Sequence, residues 1–274
     1  VNIREQVAWS HPPNHEETQA LAEDSLRMGL VRAQKASPPK PYTEANERTV
    51  LVVGGGAAGL SAALSAARSG FGVVLVEKEA ELGGYAARLH RQFPKRPPYG
   101  APEATDIAAK IRDVRSLANV RILTNAEVQE VSGEPGRFSV TIRRNGSATA
   151  VTVGAIVLAT GWRPAETQKY ATYGLGKYPN VVTSMDLEEM AAKEKIRRPS
   201  DGRPAARAAF LLCDGEGDDA HLPYGGNVSS LVALKQATYV RRQSVDSSAY
   251  IFYGDMQTPG QYEYFYRSVQ ADPG

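Results

Sequence analysis

The stretch 48–77 constrains this chain most. An apolar run, residues 50–53, reads as a fully buried strand and runs straight into Gly54-Gly55-Gly56-Ala57-Ala58-Gly59. A helical pattern follows, with Leu60, Ala63, Leu64 and Ala67 on one face, and a second buried run, residues 73–76, ends in Glu77. Strand, G-x-G-x-x-G, helix, strand and acid within about thirty residues form the full context that the dinucleotide fingerprint requires, where the bare motif would be only a glycine-rich turn. In such a unit Gly54 makes the tight turn, Gly56 lets backbone approach a pyrophosphate, and Gly59 lets helix and strand pack closely. The exposed N–H groups and the positive helix end, at Ala57 and Ala58, hold phosphate. Glu77 is placed to accept hydrogen bonds from ribose hydroxyls and to repel a 2′-phosphate, so the expected ligand is FAD or NAD.

The bulk properties exclude several classes. A net charge of +2 over 274 residues points to neither nucleic acid nor a membrane surface. No apolar run reaches spanning length, and no signal-peptide pattern opens the chain. The single cysteine, Cys213, excludes an intrachain disulfide framework and fits a reducing cytoplasm. It also excludes a cluster held by this chain's cysteines alone. The four histidines (His11, His15, His90, His221) have no metal-ligand spacing. A first residue of Val rather than Met suggests a fragment.

Along the chain, residues 15–35 have helical spacing and lead into a Pro-rich linker at 37–41, so 1–47 reads as an N-terminal helical arm that packs on the core or on a partner. After Glu77 and Lys78, the pair Gly83-Gly84 reads as a turn or a close approach to a ligand. Residues 107–117 read as a helix and 120–123 as a strand. From 127 to 153, alternating Val128, Val131, Phe138, Val140, Ile142, Val151 and Val153, with Asn145-Gly146 and glycines 133 and 136 at the turns, predict an antiparallel meander. Residues 155–161 form another buried strand ending in Ala159-Thr160-Gly161. The expected fold class is therefore α/β: a Rossmann-type domain at 48–164 with an inserted β-meander, and a second, smaller α/β domain at 165–274. In the latter, Thr183 and Asp186 predict a capped helix, and strand, helix and strand are expected at 206–213, 228–240 and 249–253. A short helix is expected at 260–269. Gly215-Glu216-Gly217-Asp218-Asp219-Ala220 matches the fingerprint by letter. Leu222-Pro223 follows instead of a helix, and three acids would face the phosphates, which disfavours NAD(P)H there.

With those residues in hand, the chain resembles the flavoprotein subunit of heterodisulfide reductase. It equally resembles the flavoproteins of the quinone-interacting complex of sulfate reducers and of the heterodisulfide reductase-like complex of sulfur oxidisers. The similarity runs over nearly the whole chain, through Ile3-Arg4-Glu5-Gln6, the fingerprint, Leu82-Gly83-Gly84, Phe93-Pro94-Lys95, residues 157–161, 178–184 and 233–237, and Ile251-Phe252-Tyr253. It implies a thioredoxin-reductase-like FAD fold. On that reading Gly54, Gly56, Ala57, Ala58, Gly59, Glu77 and Lys78 surround the pyrophosphate and adenosine ribose, and Gly83 and Gly84 lie along the cofactor. Val128 would present backbone to the adenine, and Ala159, Thr160 and Gly161 close over it. The implied partners are iron–sulfur subunits of such a complex, with a homodimer left open.

The departures are as informative. The family carries cysteine where Val7 stands here, and a Cys…Pro-Tyr-Cys-x-x-x-Cys-Cys set where this chain has Cys213, then Gly225, Ser229 and Ser230. Glycine offers no ligand and serine is a poor substitute for a soft thiolate. The iron–sulfur cluster is thus predicted absent. The C-terminal part of the FAD lobe that relatives carry is also expected to be missing after Gly274. The resulting expectation is an FAD-dependent electron-transfer subunit in sulfur metabolism, with no acid–base residue assigned and Cys213 read as a buried strand-end thiol. The alternatives are a free-standing NAD(P)H-dependent reductase and a non-catalytic structural subunit.

Overall fold

A computed structural model describes residues 1–37, 46–162, 171–193, 195–212 and 226–274. Most of the linker at 37–41, Cys213, the acidic loop at 215–220, His221 and Gly225 lie outside the described residues. The chain divides into two compact units, Val1–Ala45 and Asn46–Gly274.

The first unit holds a five-residue π-helical turn, Arg4–Ala8, and the helix α1, Glu16–Lys35. Glu16 and Glu17 in the first turn and Arg32 and Lys35 in the last complement the helix dipole. Val7 is buried at 2% exposure. No residue of α1 is buried, and Leu26, Met28 and Leu30 are exposed.

The second unit is built on a parallel sheet of order β3-β2-β1-β7, formed by β1 (Thr49–Val53), β2 (Gly72–Val76), β3 (Val120–Leu123) and β7 (Ala155–Leu158). Its strands read as continuous apolar runs because both faces are covered. Alternate residues point to opposite sides. Val52, Val73 and Leu75 meet Leu60, Ala63, Leu64 and Ala67 of α2 (Ala57–Arg68) and Ile107 and Val114 of α3 (Ile107–Ser116). Leu51, Val74 and Val76 meet Val140, Ile142 and Val153 on the meander β4 (Ala126–Glu134), β5 (Arg137–Arg144) and β6 (Ser147–Val153). The three layers follow from that alternation.

The meander's turns are also dictated locally. Asn145 and Gly146 both have positive φ (48° and 83°), as a two-residue hairpin turn needs. In β4 the apolar spacing skips from Val128 to Val131 instead of keeping a period of two. The register accordingly shifts between Val128 and Glu130, a bulge that returns the apolar side chain to its alternation.

Beyond β7, α4 (Ser184–Ala192) begins with the expected cap: the Thr183 hydroxyl accepts from the Asp186 N–H, and the Asp186 carboxylate accepts from the Thr183 N–H at 2.8 Å. The strands β8 (Arg207–Leu211) and β9 (Ser248–Phe252) pair in parallel around α5 (Gly226–Arg241), and α6 (Tyr262–Gln270) follows. Two apolar clusters flank α5. One joins Tyr239 and Val240 to Leu187 and Ile196, and the other joins Leu231 and Leu234 to Phe265. The α/β pattern expected for 165–274 is present, with α6 starting two residues later than the sequence suggested.

Candidate functional site

The site is assembled at the carboxyl ends of β1, β2 and β7, where an open parallel sheet offers its crevice. β1 ends at Val53 and the chain turns at Gly54, whose φ of +107° suits glycine alone. Gly54 donates to the carbonyl of Val76 at 2.8 Å, and a Cβ on it would collide with the carbonyl oxygen of Ala159. A Cβ on Gly59 would collide with the carbonyl oxygen of Gly54, so helix and turn touch backbone to backbone. Gly56 is different. A Cβ there would meet nothing within 4 Å. The first and third glycines are thus required by the fold, whereas the second faces open space.

Gly56 caps α2 without a side-chain bond of its own, and Ala57 and Ala58 are exposed. The first-turn N–H groups therefore point outward at the positive end of the helix, which is the chemistry that receives a phosphate. Two neighbouring backbone segments wall this cradle. On one side Gly83 donates to the carbonyl of Gly55 at 2.8 Å and adopts a left-handed conformation (φ 112°), placing Gly84 against the Cα of Gly56. On the other side Ala159 donates to Val53 at 2.8 Å, bringing Thr160 beside Gly54.

Glu77 does more inside the protein than its place in the fingerprint suggested. It is 7% exposed, its Oε2 accepts from the Gly55 N–H at 2.6 Å and its Oε1 from the Glu79 N–H at 2.9 Å. It locks the glycine turn to the end of β2. Each oxygen retains a further acceptor direction. Lys78 is exposed and pairs with Glu79 at 3.7 Å. Val128 is half-buried at the start of the β4 bulge. The structure thus gathers Gly54, Gly56, Ala57, Ala58, Gly59, Glu77, Gly83, Gly84, Ala159 and Thr160 around one turn.

Two arrangements escaped the sequence reading. Tyr85, next to Gly84, stacks on Trp162, next to Gly161, with ring centroids 4.8 Å apart and planes 12° apart. Elsewhere, Glu188 of α4 and Lys235 of α5 form an ion pair at 2.9 Å with both side chains 1% exposed. Glu188 also accepts from Gln236, from the Tyr239 hydroxyl and from the backbone N–H of His90, while Lys235 donates to the carbonyl of Arg91 at 2.9 Å and lies over the Phe93 ring. Burial pushes the Lys235 ammonium down in pKa against the pull of Glu188, and burial together with Glu188 pushes the Tyr239 phenol far up. Burial likewise lowers His90, helped by the Arg91 charge. The sequence signal was the unusual lysine and glutamine within an otherwise apolar helix stretch, 233–237. Ser230 is buried and accepts from the Gln257 N–H at 3.1 Å. Among the described residues no three His, Cys, Asp or Glu side chains form a metal set. No helix among them is long and apolar enough to cross a membrane.

Residues 48–197, more than half of the chain, match the family described as "Pyridine nucleotide-disulphide oxidoreductase", and the chain belongs to that family. Its FAD-binding Rossmann-like α/β fold is the one seen here. Among curated proteins the chain is similar to a subunit of the ferredoxin/F420H2-dependent CoB-CoM heterodisulfide reductase of Methanosarcina acetivorans. The two are 27% identical over 98% of this chain and 44% of that one. It is also similar to an iron-sulfur subunit of the CoB-CoM heterodisulfide reductase of Methanopyrus kandleri, 28% identical over 100% of this chain and 54% of the relative. The chain therefore spans about half the length of the curated relatives it matches. Among solved structures, L-proline dehydrogenase from P. horikoshii covers 77% of this chain, with 36% of its own covered, at 17% identity and a TM-score of 0.42.

Proposed function

We propose that this chain is the FAD-binding part of an electron-transferring oxidoreductase subunit in a cytoplasmic heterodisulfide reductase-like complex of sulfur metabolism. The observation that carries the reading is the cradle: an uncapped helix start beside a glycine with open space in front of it, walled by two further glycine-bearing segments. Similarity over essentially the whole chain to heterodisulfide reductase subunits supports the complex and its iron–sulfur partner subunits.

The residues fit the cofactor. The N–H groups of Ala57 and Ala58 would hold the pyrophosphate, and Gly56 leaves it room. Glu77, already bonded to the turn, would offer its remaining acceptor directions to the adenosine ribose, with Lys78 beside it. Gly83 and Gly84 would line the cofactor, the Val128 backbone would meet the adenine, and Ala159, Thr160 and Gly161 would close the other wall. FAD supplies the hydride and single-electron chemistry, and the protein's contribution is to bind, orient and shield. No side chain is assigned an acid–base role. With Gly225, Ser229 and Ser230 in place of thiolates, the chain would hold no cluster of its own, so electrons would pass to sites on partner subunits.

The test is the visible spectrum and iron content of the purified, oxidised protein. Two flavin bands without iron are expected. A broad brown absorbance with iron would overturn the loss of the cluster, and a protein that stays colourless after exposure to FAD would overturn the cofactor. The family description keeps a second reading in play, a free-standing NAD(P)H-dependent reductase. Rapid flavin bleaching by NADH without partner proteins would favour it.

A further inference from the structure

The two walls of the cradle do not end at their glycines. Past Gly84 the chain places Tyr85, and past Gly161 it places Trp162. The rings of these residues meet face to face, 4.8 Å apart and 12° from parallel. One ring comes from the segment packed on Gly56, the other from the segment packed on Gly54. The stack therefore joins the two segments that flank the glycine turn. Its two sides are unequally held. Tyr85 is half-buried, the Arg88 guanidinium lies over its ring at 5.9 Å, and Arg88 is fixed in turn by Glu189 of α4 at 2.6 Å. Trp162 is 56% exposed and follows Gly161, whose φ is +71°. Tyr85 is thus tied through Arg88 to α4, whereas Trp162 follows a glycine in the left-handed region.

We propose that Tyr85 and Trp162 form an aromatic latch across the dinucleotide cradle, closed when the rings stack and opened by movement of Trp162 when the dinucleotide enters or leaves. The inference rests on the reading of the cradle as a dinucleotide site. It goes beyond that reading by assigning the kinetics of exchange to two side chains outside the fingerprint. A stacked pair of this kind is weak enough to open thermally yet strong enough to slow passage, so its removal should speed exchange by roughly two- to tenfold.

The test uses the full chain carrying Trp9→Phe, since the sequence has only 2 tryptophans and Trp162 then becomes the sole indole reporter. FAD is stripped, added back in a stopped flow, and followed both by Trp162 emission and by flavin emission. Trp162→Ala and Tyr85→Ala are followed by flavin emission alongside. The expected result is quenching of Trp162 on binding. Association and dissociation should both be faster in the two alanine variants, with the ratio of the rates moving less than either, and Trp162→Phe should restore slow exchange. FAD binding with equal rates in all variants would overturn the latch and leave the cradle reading intact. Failure of FAD to bind any form, the parent included, would overturn both. A slower association in Trp162→Ala would also overturn the latch, because it would make the ring part of the landing surface rather than a barrier.

Discussion

The glycine cradle and the Glu188–Lys235 cluster are both places where polar groups converge, and they are built on opposite logic. In the cradle the polar groups are backbone N–H donors at an exposed helix start whose glycine cap offers no side chain. In the cluster they are charged side chains at 1% exposure that satisfy one another and two backbone groups. On the proposed reading the cradle is completed by a dinucleotide from outside, whereas the charges of the cluster are met from within. Unpaired donors facing solvent cost little and confer capacity to bind. Paired charges in the interior are tolerated only because each has its partner, and they tie α4 and α5 to the segment at 90–93.

That contrast can be broken most forcefully at Lys235. Lys235→Met leaves Glu188 buried without its counter-ion and should cost about 3–5 kcal/mol in urea unfolding, enough to threaten folding. The double variant Lys235→Met/Glu188→Leu should recover part of that loss. A single variant as stable as the parent would show that the cluster is not a closed unit. Within the fingerprint, Gly59→Ala should destabilise by about 1–3 kcal/mol, since its Cβ would meet the backbone of Gly54. Gly56→Ala should leave thermal stability within about 0.5 kcal/mol of the parent, because nothing among the described residues lies within 4 Å of the added carbon, while weakening retention of FAD. Equal melting of all three proteins would remove the distinction between fold-bearing and ligand-facing glycines. Glu77→Gln, which presents an amide in place of a carboxylate bonded to two N–H groups, should cost about 1–2 kcal/mol and weaken FAD binding together.

The smallest effect concerns pH. Burial depresses the folded-state pKa of His90 below its ordinary value. The contribution is therefore full above about pH 6.5, where both states are neutral. It declines as pH falls, since the unfolded chain takes up a proton that the folded one resists. A shallow loss of stability between neutral pH and about pH 5 is expected in the parent, and a flatter profile in His90→Gln. Parallel profiles would assign that loss to other groups.

How much of this could be read beforehand differs between the two regions. The fingerprint glycines, the strands around them and the Thr183–Asp186 cap depend on short-range geometry, so residue type and spacing expose them directly. The role of Glu77 was visible by position only, because its bonds to Gly55 and Glu79 depend on how β2 ends beside the turn. The Tyr85–Trp162 stack joins residues far apart in sequence, and no periodicity relates them. Glu188 and Lys235 are ordinary surface residue types in sequence. The burial of both follows from the packing of α4 and α5, and the sequence hints at it only where 233–237 sets a lysine and a glutamine among apolar residues.

The sequence by itself determined the strand–turn–helix unit, the choice of glycine where backbone meets backbone, and the meander and its turns. Each of these is a local matter of φ, of side-chain volume or of which atoms a residue type can offer. Only the tertiary structure decided which glycine has open space in front of it, what Glu77 holds, which charges are buried together and which rings meet beside the glycine turn. Those depend on distances between segments that the chain brings together only when the apolar faces of its sheet and helices are buried.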